Sequence, residues 1–307
     1  MIIKDYLVNQ IDGLNICKDT FYFDIETLGL SPKIHPIILI CAAFYDSDET
    51  VLIRQYFCET LNEEKDILLA FSNDINGKSI CITFNGNAFD LPFIKRRFEC
   101  HSLTNNLSDI NSYDILAFMK PLKKIWKLDN LKLKTIEAFF NIHRKDIISG
   151  KESILMYKDY KKNNNMNLRD KVLLHNYEDV KNLILLNANI KDLLTKQSIY
   201  IETKYGKILV HIYDYKINKS KIKIIFKSIS RDPTNLSPSL SIFKNNGDNL
   251  VQNSSSLEMN VFFKIGIDNN NRKILYLEIN SNLLPVFIDD ELIEKNVFYL
   301  LRSFFYE

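Results

Sequence analysis

Two carboxylates, Asp24 and Glu26, stand two residues apart directly after the β-prone run Thr20–Phe23. Side chains at positions i and i+2 of a β-strand point to the same face, so these two carboxylates project together. Adjacent like charges repel each other, and burial would increase that cost. A divalent cation would remove the repulsion, whereas a solvated strand end would explain the same pair without a metal.

Two further carboxylates, Asp90 and Asp179, also stand next to apolar sequence. Asp90 follows a buried strand and a Gly/Asn turn, and the succeeding Leu91-Pro92 is typical of a helix start. Asp179 lies beside Val180 in a long helical segment, and His175 precedes it by one turn on the same face. Taken singly, Asp90 is explained by a helix N-cap and Asp179 by an exposed helical surface.

In this order, the motifs resemble the DEDD family of 3′–5′ exonucleases, which have a ribonuclease H-like fold. The resemblance is closer to the bacterial ribonuclease H-like domain family typified by YprB, and it covers about residues 18–190. The segments that carry it are FDIETLGL at 23–30, TFNGNAFDLPF at 83–93, RKDIISGKE at 144–152 and HNYEDV at 175–180.

The resemblance implies an α/β fold with a mixed five-stranded sheet and flanking helices. It also implies that Asp24, Glu26, Asp90 and Asp179 hold two divalent ions, Mg²⁺ or Mn²⁺, and hydrolyse phosphodiester bonds at a single-stranded 3′ end of DNA or RNA. Oxygen ligands suit these hard cations, and no cluster of thiols or imidazoles suggests zinc.

One position departs from the family pattern. The tyrosine subclass has a tyrosine four residues before the last aspartate, where this chain has His175. The histidine subclass has its histidine five residues before, where this chain has Leu174, and Tyr177 lies on another side of the helix from Asp179. We expect His175 to orient or deprotonate the attacking water, because imidazole titrates near neutral pH. A histidine that only hydrogen-bonds at the rim of the site is the alternative.

Five residues are predicted to bind substrate. Thr27 and Leu28 follow the first pair of carboxylates, where family members pack against the terminal nucleoside, and Asn85 precedes the second motif. Lys95 and Arg96 lie one or two helical turns beyond Asp90 and could contact phosphates. A turn, or a solvated helix face, would also account for these residues. A further aspartate, Asp114, is predicted to cap a helix.

Hydrophobic periodicity predicts the elements that position these residues. Strands are predicted at 20–23, 36–45, 51–58 and 79–84, with a short edge strand near 112–114. Helices are predicted at 62–75, from Asp90 onward, and at 131–140, 151–161 and 167–195.

The composition changes near residue 197, where short β-prone runs replace the helical pattern. We therefore expect two domains, a ribonuclease H-like exonuclease domain at 1–196 and a β-rich accessory domain at 197–307. In the second, strands are predicted at 199–203, 208–213, 222–226, 257–265 and 274–279, with a closing helix at 290–305.

Composition is that of a globular protein, with 46% hydrophobic and 25% charged residues, which excludes a mostly disordered chain. The net charge of +2 neither requires nor excludes nucleic acid as a partner, so local basic patches must decide. The five cysteines are odd in number and form no CxxC pair, which predicts reduced, buried thiols in the cytoplasm. We expect no signal peptide and no membrane partner, because no apolar run approaches the ~20 residues that span a bilayer.

Two other functions remain open from sequence. A non-catalytic nucleic-acid-binding or assembly module could keep the fold, although degenerate members should lose carboxylates and all four remain here. An endonuclease with the same metal pair differs from an exonuclease in whether the strand terminus is blocked, which no motif reveals.

Overall fold

The computed structural model describes residues 1–9, 16–47, 49–203, 206–228, 241–243, 247–253, 256–279 and 281–305. The chain divides into two compact units. The first comprises Met1–Lys120 and Leu128–Ile190, and the second comprises Pro121–Lys127 and Lys191–Glu307. All the residues predicted to form the site belong to the first unit.

A mixed sheet of six strands forms the centre of the first unit. The strands are β1 (Ile2–Asn9), β2 (Thr20–Thr27), β3 (Ile37–Tyr45), β4 (Thr50–Phe57), β5 (Ile80–Thr83) and β6 (Asn111–Asp114). Their order is β1-β4-β3-β2-β5-β6, antiparallel from β1 to β2 and parallel from β2 to β6. The predicted mixed sheet is confirmed, and it gains a sixth strand because Ile2–Asn9 pairs with β4.

Six helices begin in the first unit and flank this sheet. They are α1 (Glu64–Asp74), α2 (Asp90–Cys100), α3 (Ile115–Ile125), α4 (Leu133–Phe139), α5 (Gly150–Asn163) and α6 (Met166–Lys196). Helix α5 begins with a capping box, in which the Ser149 side chain accepts the Glu152 N–H and the Glu152 carboxylate accepts the Ser149 N–H. Ser149 therefore defines where α5 starts.

The core of the first unit lies on both faces of the sheet. The central strands β2 and β3 are almost wholly buried, as expected for continuous apolar runs covered by helices on two sides. On one face Phe23 belongs to a cluster with Phe71 of α1 and Phe93 of α2. On the other face Leu39 belongs to a cluster with Tyr157 of α5. Each fully buried side chain of this size contributes about 1.5–3 kcal/mol, which fixes β2 between the helices.

The second unit is built from antiparallel sheets, as its β-rich sequence predicts. One sheet has the order β10-β11-β12-β9-β8-β7 and another has the order β13-β14-β15-β16. The strands are β7 (Ile199–Thr203), β8 (Gly206–Asn218), β9 (Lys221–Ser228), β10 (Ser241–Phe243), β11 (Asn249–Asn253), β12 (Ser256–Phe262), β13 (Lys264–Ile267), β14 (Lys273–Ile279), β15 (Asn282–Ile288) and β16 (Glu291–Leu292), and they are followed by α7 (Glu294–Ser303).

One predicted strand of this unit is wrong. Residues 257–265 cover nearly all of β12, then Phe263, then the start of β13, and the two strands belong to different sheets. Phe263 lies between the two strands with its side chain buried in the apolar core, so the chain changes sheets without a polar turn. A continuous apolar pattern therefore concealed the break.

All five cysteines are free thiols, in agreement with the prediction. Cys41, Cys58 and Cys81 are buried in the sheet region, but Cys17 and Cys100 are exposed. The prediction of burial was wrong for these two, which precede β2 and end α2, outside the buried strands. In the residues described here, no helix combines the length and the apolar character needed to cross a bilayer.

Candidate active site

Asp24 and Glu26 project from β2 toward α6, as the alternation of the strand predicts. Asp24 Oδ2 accepts a hydrogen bond of 2.8 Å from the side-chain amide of Asn176. Glu26 Oε1 lies 3.6 Å from His175 Nε2 on the same helix. The two carboxylates are therefore held between the central strand and the longest helix of the unit.

Asp90 is brought beside this pair by the start of α2. It is the first residue of the helix, and its neighbour Phe89 holds the N-cap position. The Asp90 carboxylate accepts the backbone N–H of Ile25 at 3.2 Å instead of capping the helix. Because Ile25 separates Asp24 from Glu26, this bond places a third buried carboxylate next to them.

The turn that precedes α2 is fixed by Asp114. The two oxygens of its carboxylate accept the backbone N–H groups of Asn85 at 2.9 Å and of Asn87 at 3.2 Å. Asn85 has a φ of 65°, a left-handed conformation that asparagine adopts more readily than most residues. The predicted capping role is confirmed as well, since Asp114 also accepts the N–H of Ala117 in the first turn of α3.

Asp179 and His175 complete the cluster from α6. His175 Nε2 lies 3.6 Å from Asp179 Oδ2, the same distance that separates it from Glu26. One ligand atom from each of these three residues lies within 4.8 Å of the others. The arrangement brings an imidazole nitrogen and two carboxylate oxygens from separate elements to one point.

The segment between α4 and α5 adds charged groups to the same cluster. His175 Nδ1 lies 2.7 Å from Asp146 Oδ2. The Arg144 guanidinium contacts Asp179 and donates hydrogen bonds of 2.9 and 3.0 Å to the two oxygens of Glu137. Arg144 is 8% exposed, so its charge is held inside the site and not in solvent.

Burial and mutual repulsion make the ionised carboxylates unfavourable in the absence of a metal. Burial, together with the charges of Asp90, Asp179 and Glu26, raises the pKa of Asp24 well above 3.8. Burial also raises the pKa of Glu26 to about 7, although nearby His175 opposes this shift. Burial raises the pKa of Asp90 to about 7, against the hydrogen bond from Ile25.

The donor set fits a hard divalent cation. Carboxylate oxygens are the ligands that Mg²⁺ and Mn²⁺ prefer, and several of them converge here from β2, α2 and α6. A cation would also supply positive charge to Asp24, Glu26 and Asp90, whereas Asp179 already contacts the Arg144 guanidinium. Asp24, Glu26, Asp90 and Asp179 are the residues that would hold it.

A cavity of about 910 Å³ opens over the cluster. The four carboxylates and His175 line it, together with apolar side chains such as Leu116 and Leu133 and basic side chains such as Lys132, Lys134 and Lys151. Its size and its mixed lining are those of a site for a small organic ligand or for part of a polymer.

The predicted substrate-binding residues are placed differently from one another. Thr27 and Asn85 line the cavity. Leu28 does not line it and packs against the apolar cluster of Leu39. Lys95 and Arg96 are exposed on α2 and do not line it either, and Arg96 pairs with Glu99 at 2.7 Å.

Asn176, Arg144 and Asp146 contact Asp24, Asp179 and His175, respectively, and were not predicted from the sequence. Asn176 stands beside His175 and faces the same strand, so the helical spacing from Asp179 could have drawn attention to it. Arg144 and Asp146 lie in one of the segments that carry the family resemblance, and a charged pair before an apolar Ile147-Ile148 was the available signal.

Comparisons with known proteins agree with this fold. A profile of the RNase H superfamily matches residues 21–191. The uncharacterized protein YprB of Bacillus subtilis (strain 168) is 27% identical over 186 residues, which cover 59% of this chain and 44% of that protein. This chain therefore spans less than half the length of that relative.

The solved structures that this chain matches are more distant. The family B DNA polymerase of the archaeon Pyrobaculum calidifontis is 15% identical, with 75% of this chain and 38% of that chain covered and a TM-score of 0.41. A zinc-bound complex of E. coli ExoI with single-stranded DNA is 13% identical, with 71% and 56% covered and a TM-score of 0.37.

Proposed function

This chain belongs to the RNase H superfamily, and from that membership we propose that it is a two-metal-ion 3′–5′ exonuclease that hydrolyses nucleic-acid phosphodiester bonds. The observation that carries the proposal is the convergence of Asp24, Glu26, Asp90 and Asp179 on one cavity. Structural carboxylates are rarely grouped in this way without positive charge to balance them.

Asp24, Glu26, Asp90 and Asp179 would hold two divalent ions, Mg²⁺ or Mn²⁺. When bound, such ions activate water and stabilise the charge that develops on a phosphodiester during in-line displacement. The contribution of the chain is the fixed geometry of the ligands, since Asn176 orients Asp24 and the Ile25 N–H orients Asp90.

His175 is proposed to orient and deprotonate the attacking water through Nε2. The proton of the water passes to Nε2 while its oxygen forms the new bond to phosphorus. The bond from phosphorus to the 3′ oxygen of the preceding nucleotide then breaks, and that oxygen takes a proton from solvent. The released product is a nucleoside 5′-monophosphate.

The proposed substrate is a single-stranded 3′ end of DNA or RNA. Thr27 and Asn85 would contact the terminal nucleotide, and the apolar Leu116 and Leu133 offer surfaces for a base or sugar. Lys132 and Lys151 supply positive charge in the same cavity for backbone phosphates. Leu28, Lys95 and Arg96 remain predicted substrate contacts. Lys95 and Arg96 would contact the part of the nucleic-acid strand that lies outside the cavity.

The β-rich residues 197–307 are proposed to form an accessory domain that guides nucleic acid or mediates assembly. Free thiols at all five cysteines suit a reducing compartment, and we propose that the protein acts in the cytoplasm.

A non-catalytic nucleic-acid-binding module is the second candidate. The observation in its favour is the contact between Arg144 and Asp179, because a guanidinium already neutralises one of the four carboxylates. A binding module would retain affinity for nucleic acid but would not turn it over with any divalent ion.

Hydrolysis of 5′-labelled single-stranded oligonucleotides with Mg²⁺ or Mn²⁺ tests the two candidates. We expect a ladder that shortens from the 3′ end and disappears with EDTA, with a blocked 3′ end, and in the Asp179→Asn variant. Asp170→Asn is the matched control, because Asp170 is an exposed carboxylate on the same helix. Failure of folded, Mn²⁺-binding protein to cleave DNA or RNA would contradict the exonuclease and favour the binding module. Internal cleavage of a blocked strand would instead indicate an endonuclease.

A further inference from the structure

The buried carboxylate of Asp146 lies on the Nδ1 side of the His175 imidazole. Its Nδ1 lies 2.7 Å from Asp146 Oδ2, and both residues are largely buried, with 5% and 7% of their surface exposed. The two residues come from different parts of the chain, since Asp146 precedes α5 and His175 lies within α6. A hydrogen bond of this length between buried groups fixes the orientation of the ring.

The other contacts of Asp146 determine which ring nitrogen carries the proton. Asp146 Oδ1 accepts the backbone N–H of Ile148 at 2.9 Å, and its Oδ2 also lies 3.3 Å from Arg144 and 3.6 Å from Lys134. Every one of these neighbours is a donor, so the carboxylate acts as an acceptor on both oxygens. The Nδ1 of His175 must then donate its hydrogen to Asp146.

With Nδ1 as the donor, the neutral imidazole carries its lone pair on Nε2. Nε2 lies 3.6 Å from Glu26 and 3.6 Å from Asp179, which is too long for a direct hydrogen bond. The ring lines the cavity above the carboxylates, and Asp146 does not. Within the part of the chain that the structure describes, Nε2 makes no hydrogen bond, so it is the ring nitrogen that can accept a proton from a water bound in the cavity.

We propose that Asp146 is a positioning residue that holds His175 in the Nδ1–H tautomer, so that Nε2 is directed at the attacking water. The proposal rests on the function proposed above and extends it by naming the residue through which the histidine is made ready to act. The position of His175 one helical turn before Asp179 places the imidazole near the site. That position alone does not determine which ring nitrogen carries the hydrogen.

The segment that carries Asp146 is itself anchored to α6. Glu178 accepts the backbone N–H groups of Lys145 at 2.9 Å and of Asp146 at 2.7 Å. The carboxylate that orients His175 is thus tied to the same helix by a second, independent contact. Glu178 contacts the backbone of this segment and not the imidazole. A Glu178 variant therefore separates the anchoring of the segment from the orientation of the ring.

The tautomer can be read directly from protein labelled with ¹⁵N-histidine, by long-range ¹H–¹⁵N correlation at pH 8.5 in the presence of diamagnetic Mg²⁺. The His175 signals are assigned with a His175→Ala variant among the five histidines of the chain. We expect a protonated Nδ1 and an unprotonated Nε2 in the wild type. In Asp146→Asn we expect the Nε2–H tautomer, because the remaining oxygen is taken by the Ile148 N–H and the amide NH₂ then faces Nδ1.

Kinetics test whether the tautomer matters for turnover. We expect Asp146→Asn to lower kcat by about 100-fold, the scale of a general base, with KM changed less than about twofold. The same substitution should have no further effect in a His175→Ala background. Glu178→Gln loosens the same segment without touching the ring, so its effect should persist in that background.

Separate results would overturn the proposal at separate points. An Nε2–H tautomer in the wild type, or an unchanged tautomer in Asp146→Asn, would overturn the positioning role without any assay of activity. An active wild type with unchanged kcat in Asp146→Asn would overturn the role of Asp146 while the exonuclease stands. A wild type with the expected tautomer but no turnover would overturn the proposed function, and the role of Asp146 with it.

Discussion

The carboxylate of Asp24 is buried beside other carboxylates, so its charge is unfavourable without a metal. It is surrounded by those of Asp90, Asp179 and Glu26, and burial adds to their repulsion. The sequence made this residue predictable, because alternation along a strand places Asp24 and Glu26 on one face. A bound metal ion would offset this repulsion, so removing the ion should measurably lower the stability of the folded protein.

We expect Asp24→Asn to stabilise the metal-free protein at pH 8. Neutralising one of the repelling carboxylates should raise Tm by about 3–8 °C, equivalent to roughly 1–3 kcal/mol. Thermal unfolding in EDTA measures this difference, with Asp170→Asn as the exposed control. A lower Tm for Asp24→Asn than for the control would contradict the electrostatic account of the site.

The same repulsion has a pH dependence of definite sign. Glu26 and Asp90 have a pKa of about 7 in the folded protein, against ordinary values of 4.5 and 3.8. The unfolded chain releases these protons first as pH rises, so the folded state loses stability from about pH 4 to about pH 7. In EDTA, the fall in Tm between pH 5 and pH 8 should be steeper for the wild type than for Asp24→Asn. Saturating Mg²⁺ should reduce that difference, and equal slopes in EDTA would contradict the prediction.

At the scale of elements, local sequence signals located most of the strands and helices that carry the site. The motifs of β2, α2 and α6 are predictable because each depends on spacing within one element. The edge strand β1 was not foreseen, since Ile2–Asn9 is a strand by virtue of pairing with β4 more than 40 positions away. The end of β12 was also missed, because an apolar run continued through the change of sheet.

The turn between β5 and α2 gives a prediction at this scale. A Cβ on Gly86 would clash with the side chain of Thr83, whereas a Cβ on Gly150 would meet no atom within 4 Å. Gly86→Ala should destabilise the protein by about 1–3 kcal/mol through overpacking, and should displace Asp90. Gly150→Ala should be neutral or stabilise by up to about 1 kcal/mol, because Gly150 opens α5.

Urea unfolding of both variants measures these effects, and exonuclease assays on the same samples report the position of Asp90. Equal stability of the two variants would show that the turn accommodates an added methyl group. The close packing of Gly86 on Thr83 would then not determine the position of Asp90.

For the whole molecule, the sequence could indicate which carboxylates converge but not what surrounds them. Asp146 and His175 are in contact although they are 29 positions apart in the sequence, and Arg144 and Asp179 are in contact although they are 35 positions apart. No periodicity encodes contacts of that kind, because they depend on how the loop before α5 packs against α6. The same holds for Lys132, Lys134 and Lys151, which line the cavity together with Arg144 and were not predicted from the sequence. Lys95 and Arg96 stay predicted contacts outside the cavity.

Nucleic-acid binding should therefore depend on local charge, since the net charge of the whole chain is only +2. Lys151→Ala should raise KM most at low salt and reduce the slope of log KM against log salt concentration by about 0.7, the effect of one single-strand phosphate contact. Lys171→Ala is the matched control, as an exposed lysine on α6 outside the cavity. An equal reduction of this salt-dependence slope in both variants would indicate that nucleic acid is attracted by the overall charge of the surface and not by a contact to Lys151.

The central claim is that Asp24, Glu26, Asp90 and Asp179 form one site for two divalent ions. Calorimetric titration of Mn²⁺ into EDTA-stripped protein tests it most directly. The account predicts two ions per chain for the wild type and for Asp170→Asn, with loss of at least one ion in Asp24→Asn. Wild-type protein that binds no Mn²⁺, or an Asp24→Asn variant that still binds two ions with wild-type affinity, would contradict it.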